Sequence, residues 1–309
     1  MDWHSSEIEN LIRRAIEEDL GPGDATTLAT IPAEARARAR IVARAPMVCA
    51  GLPAVERVFR ALDAHVEIEF LAKDGDTVEK QRDLVRCRGL ARAILTGERT
   101  ALNFLAHLSG IATLTQRFVE RIAGTNAKIR DTRKTTSGLR TLEKYAVRLG
   151  GGVNHRFGLY DAILLKENHI ALAGGVRQAL DKAHAYASSQ ITTQEMSAYE
   201  ATGSLARKRA SPSLPIQIEV RDERELREAL EAGAEAVLLD NMTPEEARRC
   251  VTLARGVRRD CVVEISGGIT LDNARAYAET GADFLSSGTL THSAPAANLT
   301  LLVDSIQEK

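Results

Sequence analysis

The chain has 309 residues, 44% of them hydrophobic and 27% charged, which is enough for one large core or two ordinary ones at roughly 150 residues per domain. The 41 lysines and arginines nearly balance the 42 aspartates and glutamates, leaving a formal net charge of −1, and only 4% of the residues are aromatic. This composition argues against nucleic-acid binding, which needs positive charge and, for single strands, stacking side chains.

The N-terminus, the hydropathy and the cysteines narrow the class of protein further. Residues 1–7 lack the basic and apolar regions of a signal peptide, and no apolar run approaches the roughly 18–20 residues that cross a bilayer. The four cysteines form no CxxC pair, which disfavours zinc clusters and, without an export signal, a disulfide framework. We therefore expect a soluble, cytoplasmic globular protein that acts on neither membranes nor nucleic acid.

The first part of the sequence mixes helical and strand-like patterns. Apolar residues recur at helical spacing over residues 5–20 and again over the alanine-rich residues 98–123. Residues 38–45 and 66–71 have the composition of strands. Together these patterns predict a mixed α/β domain at the N-terminal end of the chain.

From residue 128 onward, short apolar strands that end in a polar residue alternate with helices. Capping boxes beginning at Asp222 and Thr243 mark the start of two of these helices. The polar residues at the ends of the last four strands lie 21, 26 and 21 residues apart, the length of one βα unit; they are Glu219, Asp240, Ser266 and Ser287. The predicted strands are residues 127–131, 162–166, 216–219, 236–240, 262–266 and 284–286.

Repeated βα units form either a doubly wound sheet or a barrel, and both place the ligand at the carboxyl ends of the strands. A flat sheet would spread six strand ends over roughly 25–30 Å, whereas a barrel gathers them at one rim. The predicted fold is therefore α/β, with an N-terminal mixed α/β domain and an incomplete (β/α) barrel that carries the active site.

The predicted domain division follows from these patterns. The N-terminal α/β domain covers residues 1–115, with residues 290–309 packing back on it, and the barrel covers residues 116–289. Residues 188–213 are long, polar and rich in serine, threonine and alanine, which predicts a surface insertion in the barrel.

The strongest local signal is a concentration of positive charge. Residues 128–156 contain eight lysines and arginines against two acidic residues, an excess of six in a chain whose total is −1. Arginine binds carboxylate or phosphate in a bidentate manner, and lysine or imidazolium adds point charge. Next to a strand end and a glycine turn, this cluster predicts a site for a polyanionic small ligand, with structural ion pairing as the alternative. Its members are Arg133, Lys134, His155 and Arg156.

Two glycine turns at successive strand ends are a second signal. Ser266-Gly267-Gly268 precedes a helix that we expect to be capped at Thr270, and Ser286-Ser287-Gly288 ends the next strand. Such turns expose backbone N–H groups to a phosphate, although glycine also marks plain tight turns. His292 follows the second turn closely enough to reach the same phosphate.

Two acids on neighbouring strands, Glu219 and Asp240, are the third signal. Carboxylates beside a basic pocket hold a hydrated Mg²⁺, bind hydroxyl groups or stabilise a cation. The structural alternative is an ion pair between strands, with Lys166 as the partner of Glu219.

A series of motifs runs in order from residue 18 to residue 293. They are Glu18-Asp19, Gly23-Asp24, Glu98-Arg99-Thr100, Leu108-Ser109-Gly110, Asp131-Thr132-Arg133-Lys134-Thr135, Asn154-His155-Arg156, Lys166-Glu167-Asn168-His169, Glu219-Val220, Leu239-Asp240-Asn241, Glu264-Ile265-Ser266-Gly267-Gly268 and Gly288-Thr289-Leu290-Thr291-His292-Ser293. Together these motifs resemble the quinolinate phosphoribosyltransferase (nicotinate-nucleotide pyrophosphorylase, carboxylating) family. Departures are few: Leu90 stands where proline is expected, and the 188–213 insertion is longer than usual.

The resemblance implies a homodimer that transfers the phosphoribosyl group of phosphoribosyl pyrophosphate (PRPP) to quinolinate with loss of CO₂, using Mg²⁺. It implies catalytic roles for Lys134, Glu219 and Asp240, the two acids also serving Mg²⁺ through water. The implied quinolinate site is Arg99, donated by the partner subunit, with Arg133, His155, Arg156 and Lys166. The implied PRPP and phosphate site is Lys134, Thr135, Ser266, Gly267, Gly268, Ser287, Gly288 and His292.

Three other functions are compatible with parts of this pattern. A related phosphoribosyltransferase-like protein for nicotinate, or for a ligand tied to molybdenum transport, would share the barrel but would not need several groups for two carboxylates. A non-catalytic anion-binding protein would need the basic cluster but not the two acids. A nucleic-acid-binding module is the poorest match, because the net charge is near zero and aromatics are scarce.

Overall fold

The computed structural model describes residues 1–202 and 214–307, and the chain folds into two units. The chain passes between these units four times. The predicted division, with residues 1–115 and 290–309 in one domain and 116–289 in the other, has two boundaries and stays a prediction. Unit 1 comprises Met1–Val119, Lys134–Val153 and Gly288–Lys309, and unit 2 comprises Glu120–Arg133 and Asn154–Ser287.

The predicted elements are present in the described residues, and several unpredicted ones join them. The helices are α1 (Ser6–Leu20), α2 (Ala25–Thr30), α3 (Leu52–Leu62), α4 (Ala91–Arg121), α5 (Arg140–Leu149), α6 (Glu167–Ala173), α7 (Val176–Thr202), α8 (Glu223–Glu231), α9 (Pro244–Val257), α10 (Ala274–Ala278) and α11 (Thr289–His292). The strands are β1 (Arg36–Ala43), β2 (Met47–Val48), β3 (Glu67–Phe70), β4 (Thr77–Val78), β5 (Asp83–Leu90), β6 (Lys128–Arg130), β7 (Ile163–Leu165), β8 (Ile216–Val220), β9 (Ala236–Asp240), β10 (Val262–Ser266), β11 (Phe284–Ser286) and β12 (Leu299–Gln307).

Unit 1 is built on an antiparallel sheet whose order, in the part of the chain that the structure describes, is β12-β1-β5-β3. The alternation of arginine and alanine along the first half of β1 gives this sheet a polar face and an apolar face, and Ala37 and Ala39 are buried. The last strand, β12, pairs with β1 from Ala43 opposite Leu299 to Arg36 opposite Gln307. Helix α1 buries Ile8, Ile12 and Ile16 at the predicted helical spacing.

Unit 2 is built on a parallel sheet whose order, within the described ranges, is β6-β11-β10-β9-β8-β7. Each strand from β7 to β10 pairs with the next one along the chain, and the last strand of this sheet, β11, pairs with the first, β6. Pairing of the last strand with the first is the closure of a barrel, and the opening lies between β6 and β7. The predicted incomplete barrel is therefore confirmed.

Two helices of unit 2, α8 and α9, begin where the capping boxes predicted. The side chain of Asp222 accepts a hydrogen bond from the Glu225 N–H at the start of α8, and Thr243 with Glu246 forms a capping box at the start of α9. None of the helices in the described ranges has the length and hydrophobicity needed to cross a bilayer.

The predicted insertion begins inside a helix. Helix α7 continues through Thr202, so residues 188–202 extend it, and residues 203–213 lie outside the described residues. The polarity of this stretch suggested a loop, but alanine, glutamine, glutamate and methionine within it are good helix formers.

Glu225 on α8 is a buried carboxylate whose charge stabilises the fold. Arg221 donates to it from Nη2 at 2.6 Å and from its backbone N–H at 2.9 Å, and these hydrogen bonds lower the pKa of Glu225 from its usual 4.5. We expect Glu225→Gln to lower the free energy of unfolding by about 1–2 kcal/mol at pH 7, allowing for the half-exposed arginine.

The lowered pKa fixes how this loss depends on pH. The stabilisation is complete above the unfolded-state pKa and disappears as pH falls through the lower folded-state value. Urea unfolding at pH 7 and at successively lower pH below 4.5 should therefore show the two proteins converging. A difference that stays constant over this range would contradict the assignment.

Candidate active site

The carboxyl-terminal edge of the unit 2 sheet collects the predicted polar residues. Strand register places Arg130 opposite Ser286, Ser286 opposite Ser266, and Ser266 opposite Asp240. Glu219 lies one strand further on, just before Val220, which pairs with Leu239. The sheet therefore brings the first glycine turn and the acid pair to one edge, as the sequence predicted.

The two acids differ in their surroundings. Lys166 Nζ donates to Glu219 Oε2 at 3.0 Å, so the ion pair that was the structural alternative is formed; the lysine side chain is 51% exposed and the glutamate 13%. Asp240 accepts a hydrogen bond from Asn241 Nδ2 at 2.8 Å. Because Lys166 is at the surface, an anionic ligand has access to its ammonium group.

Asn241, which stands in one of the motifs but was assigned no role from the sequence, turns the chain at the end of β9. Its φ of +55° lies in the left-handed region, which asparagine tolerates better than most residues. Its N–H donates to the Ser266 carbonyl at 2.9 Å while its side chain donates to Asp240. The unusual backbone therefore orients the Asp240 carboxylate.

The donor set at this edge fits Mg²⁺. Glu219 and Asp240 are carboxylates at the ends of adjacent strands, and Mg²⁺ is usually bound by one or two carboxylates together with waters and substrate phosphates. Nowhere in the described part of the chain do three or more His, Cys, Asp or Glu side chains form a metal-binding group. These residues therefore suit a magnesium ion that the substrate helps to hold.

Arg133 and Arg156 form a concentrated positive site. Burial, and after it the positive charge of Arg133, lowers the pKa of the Arg156 guanidinium, while Asp161 acts in the opposite direction. Arg156 Nη1 donates to the Ala162 carbonyl at 2.9 Å, but its buried Nε has no hydrogen-bond partner among the described residues. An anion placed here would relieve the repulsion between the arginines and accept the remaining hydrogen bond.

Two aspartates that the sequence analysis did not assign hold this basic segment. Asp131, fully buried after β6, accepts from Asn154 Nδ2 at 2.6 Å and from the His155 N–H at 2.7 Å. Asp161 accepts from the Phe157 N–H at 2.6 Å and the Gly158 N–H at 2.9 Å. For Asp131, the sequence did contain a signal: a single carboxylate at the end of a strand, within a basic stretch.

His155 is held on both sides of its ring. Its Nδ1 accepts from the Arg156 N–H at 2.7 Å, and its Nε2 lies 3.6 Å from Oε1 of the fully buried Glu264. A direct contact of the His155 ring with substrate stays a prediction.

The first glycine turn has the backbone that a phosphate site needs. Gly267 has φ of +95° and Gly268 has φ of +63°; a Cβ on Gly267 would collide with Asn241, whereas one on Gly268 would meet nothing within 4 Å. The predicted cap at Thr270 is wrong, because α10 begins only at Ala274. The Thr270 N–H instead donates to Asn273 Oδ1 at 2.7 Å, which forms an extra turn before the helix.

The boundary between the two units falls within the second glycine turn, because Ser287 is the last residue of unit 2 and Gly288 belongs to unit 1. In unit 2, Ser287 is buried, its hydroxyl donates to the Ile269 carbonyl at 3.0 Å, and its N–H donates to the Arg130 carbonyl at 3.1 Å. The hydroxyl of Ser287 therefore holds the two turns together. Its predicted contact with phosphate stays a prediction.

Unit 1 brings together three of the predicted phosphate ligands. A Cβ on Gly288 would lie 2.9 Å from Lys134 Cδ and 3.0 Å from His292 Nε2, so only glycine allows this approach without displacing them. Thr291 Oγ1 donates to the Lys134 carbonyl at 2.8 Å. Thr135 Oγ1 accepts from Arg140 at 3.0 Å.

The remaining predicted residue of unit 1, Arg99, is exposed on α4. Nearby on the same helix, His107 Nε2 contacts Glu143 Oε1 at 2.8 Å, and Glu143 also accepts from the Thr136 N–H at 3.1 Å. Glu143 is one of the two acidic residues within the basic stretch 128–156, and it is completely buried. Through its hydrogen bond with the Thr136 N–H it supports the loop that follows Lys134.

Comparison with known proteins agrees with this geometry. The family model described as quinolinate phosphoribosyl transferase, N-terminal domain, matches residues 24–109. The model described as quinolinate phosphoribosyl transferase, C-terminal domain, matches residues 111–211 and 194–302. The chain is 38% identical over 306 residues to a probable nicotinate-nucleotide pyrophosphorylase [carboxylating] of Bacillus subtilis, covering 98% of this chain and 96% of that protein. It is 42% identical over 288 residues to the corresponding protein of Mycobacterium leprae, covering 91% and 92%.

Solved structures give the same result. The nicotinate-nucleotide pyrophosphorylase from Francisella tularensis superimposes with a TM-score of 0.82 at 35% identity, covering 96% of each chain. Both domain models match in order, and the similarity extends over nearly the whole length of these relatives. The chain therefore belongs to the quinolinate phosphoribosyltransferase family.

Proposed function

We propose that this enzyme transfers the phosphoribosyl group of PRPP to quinolinate, with loss of CO₂, and so forms nicotinate mononucleotide and pyrophosphate for NAD biosynthesis. The observation that carries the proposal is the Arg133–Arg156 site. Two arginines, one with a buried and unsatisfied Nε, suit a rigid dicarboxylate better than a ligand with one carboxylate.

Substrate binding begins with the basic residues. Arg133 and Arg156 bind the two quinolinate carboxylates, and Lys166 exchanges its contact with Glu219 for one with the ligand. That exchange leaves the Glu219 carboxylate facing the ribose. Holding two anions that repel each other in water at reacting distance supplies much of the rate enhancement.

The phosphoribosyl donor is bound by both glycine turns and by Lys134. The N–H groups of Gly267 and Gly268 donate to the 5′-phosphate, and Lys134 neutralises charge on the departing pyrophosphate. Bound Mg²⁺, held by Glu219 and Asp240 through water, would supply Lewis-acid stabilisation to the same leaving group.

The ribose carries positive charge when pyrophosphate leaves. Glu219 and Asp240 stabilise this oxocarbenium-like species, and the pyridine nitrogen of quinolinate then forms the bond to C1. The resulting pyridinium accepts the electron pair of the adjacent C–CO₂ bond, so CO₂ departs and the ring is protonated at that carbon.

A decarboxylation assay tests the proposed reaction. The protein is incubated with Mg²⁺, PRPP and quinolinate labelled with ¹⁴C in the carboxyl group beside the nitrogen, and trapped ¹⁴CO₂ is compared with nicotinate mononucleotide. We expect equal amounts of the two, none without PRPP, and little mononucleotide when nicotinate replaces quinolinate. Absence of ¹⁴CO₂, or equal turnover of nicotinate, would overturn the proposal.

Arg156 offers a direct test of quinolinate recognition. Replacing it with alanine removes a charged hydrogen-bonding partner, and we expect quinolinate binding to weaken by roughly 2–3 kcal/mol, about 30- to 150-fold. Isothermal titration with quinolinate measures this change, and Arg224→Ala, which removes an exposed arginine of α8, is the control. An unchanged dissociation constant would move the carboxylate site away from Arg156.

The proposal also includes the oligomeric state and the cellular location of the protein. A homodimer in which the exposed Arg99 enters the partner's active site is supported by the family resemblance. Cytoplasmic location is supported by the cysteines, since all four are buried and unpaired, as expected of a protein in a reducing compartment.

A further inference from the structure

Glu264 is a completely buried carboxylate at the centre of unit 2. Arg130 Nη1 donates to its Oε2 at 2.8 Å, and Gln217 Nε2 donates to the same oxygen at 2.9 Å. Its other oxygen, Oε1, accepts from the Ser286 hydroxyl and lies 3.6 Å from His155 Nε2. Each carboxylate oxygen thus faces two polar groups.

These contacts form a polar layer inside the barrel. Arg130, Gln217 and Glu264 come from β6, β8 and β10, which are alternate strands, and alternate strands supply the layers of a barrel interior. Apolar side chains usually fill such a layer, since a buried charge is stable only when fully paired. With no exposed surface, Glu264 can affect a ligand only through its neighbours.

The neighbour that connects Glu264 to the site is His155. The Arg156 N–H donates to His155 Nδ1 at 2.7 Å, so this nitrogen is an acceptor and the ring proton resides on Nε2, facing Glu264. A carboxylate that faces the protonated nitrogen fixes the tautomer and the orientation of the ring. The ring in turn fixes the backbone from which the Arg156 side chain extends.

We propose that Glu264 is a positioning residue for the quinolinate pocket, acting through His155 on the backbone of Arg156. This inference rests on the proposed function, because it takes Arg156 as a carboxylate ligand. It also gives the buried charge a role that a hydrophobic residue of similar size would not perform.

The hydrogen-bond inventory shows why glutamine would not substitute. Four groups face the two oxygens: the Arg130 guanidinium and the His155 Nε2–H can only donate toward Glu264, and Gln217 donates through its NH₂ group. An amide has a single oxygen, so its NH₂ group must face either Arg130 and Gln217 or His155. The charged arginine retains the oxygen, and an NH₂ group then replaces the carboxylate oxygen that faces the His155 Nε2–H.

Steady-state kinetics of Glu264→Gln tests the proposal. Loss of the negative charge that faces His155 is expected to raise the KM for quinolinate about tenfold, while kcat and the KM for PRPP change less than about twofold. The matched control is Glu225→Gln, another buried glutamate of unit 2 that pairs with Arg221, which should leave the KM for quinolinate unchanged. Parallel rises in both KM values would indicate general damage and overturn the proposal.

A double-mutant cycle separates positioning from independent effects. If Glu264 acts through Arg156, Glu264→Gln should raise the KM for quinolinate in the Arg156→Ala background by less than about twofold, because the side chain being positioned is already gone. Multiplication of the two single effects would overturn the proposal.

A milder variant keeps the test decisive if Glu264→Gln fails to fold. Ser286→Ala removes only the hydroxyl that donates to Oε1, the oxygen facing His155. We expect a smaller rise in the KM for quinolinate, larger than any change in the KM for PRPP, and no such rise would overturn the proposal. Release of CO₂ by the wild-type enzyme shows separately whether the proposed function holds.

Discussion

Replacing Asp240 with asparagine is expected to lower kcat by about 100- to 1,000-fold while leaving the protein folded. The carboxylate ends β9 beside Ser266 of β10, at the edge where the strand register collects the site. Its role is to face positive charge that exists on the ribose only during reaction, and removing one such preorganised group typically costs two to three orders of magnitude. Asparagine keeps the shape of the side chain but loses the charge.

The measurement compares kcat at saturating PRPP and quinolinate, and circular dichroism confirms the fold. Asp260→Asn is the matched control, because Asp260 is an exposed aspartate that precedes β10, the strand whose other end, Ser266, pairs with Asp240. The control should retain full kcat. A variant Asp240→Asn with more than about a third of the wild-type kcat would favour a non-catalytic anion-binding protein over the enzyme.

Local signals in the sequence predicted the architecture of unit 2. The strands β9, β10 and β11 have the predicted bounds, since each is a short apolar run between a glycine or a turn and a polar residue. The capping box at Thr243 works through contacts within four residues, so it too is visible in the sequence. The incomplete barrel followed from the βα repeat length and the shared edge.

Unit 1 was less predictable because its pairing is long-range. Strand β12 pairs with β1 across more than 250 residues, and neither β5 nor α3 was predicted, although both contribute buried residues. Nothing within a short window of sequence distinguishes such strands from loops. The points at which the chain crosses from one unit to the other also depend on tertiary packing, which a short window of sequence does not show.

The predicted ligand-binding residues were easier to identify than the residues that hold them. Charged side chains near strand ends, such as Arg133 and Arg156, stand out in the sequence. Asp131, Asn241 and Glu264 act through contacts with other elements, and a buried acid looks the same in sequence as an exposed one. Only the folded chain shows which carboxylates are enclosed and which groups they hold.

Mixing two inactive variants is expected to restore about a quarter of the wild-type activity if the active site is shared between subunits. In the proposed dimer, each site combines Lys134 of one chain with the partner's Arg99. A heterodimer of Arg99→Ala and Lys134→Ala chains then has one site with both defects and one intact site. Random exchange makes about half of the molecules heterodimers, each with half of the normal activity.

The exposure of Arg99 on α4 makes this arrangement chemically reasonable, because its guanidinium is available to a second chain. Each variant alone should be nearly inactive, since one loses a carboxylate ligand and the other the cation beside pyrophosphate. Mixing Asp240→Asn with Lys134→Ala is the control: both residues belong to the same chain's site, so no heterodimer contains an intact site. Failure of the first mixture to regain activity, after native mass spectrometry has verified subunit exchange, would show that Arg99 does not act across the interface.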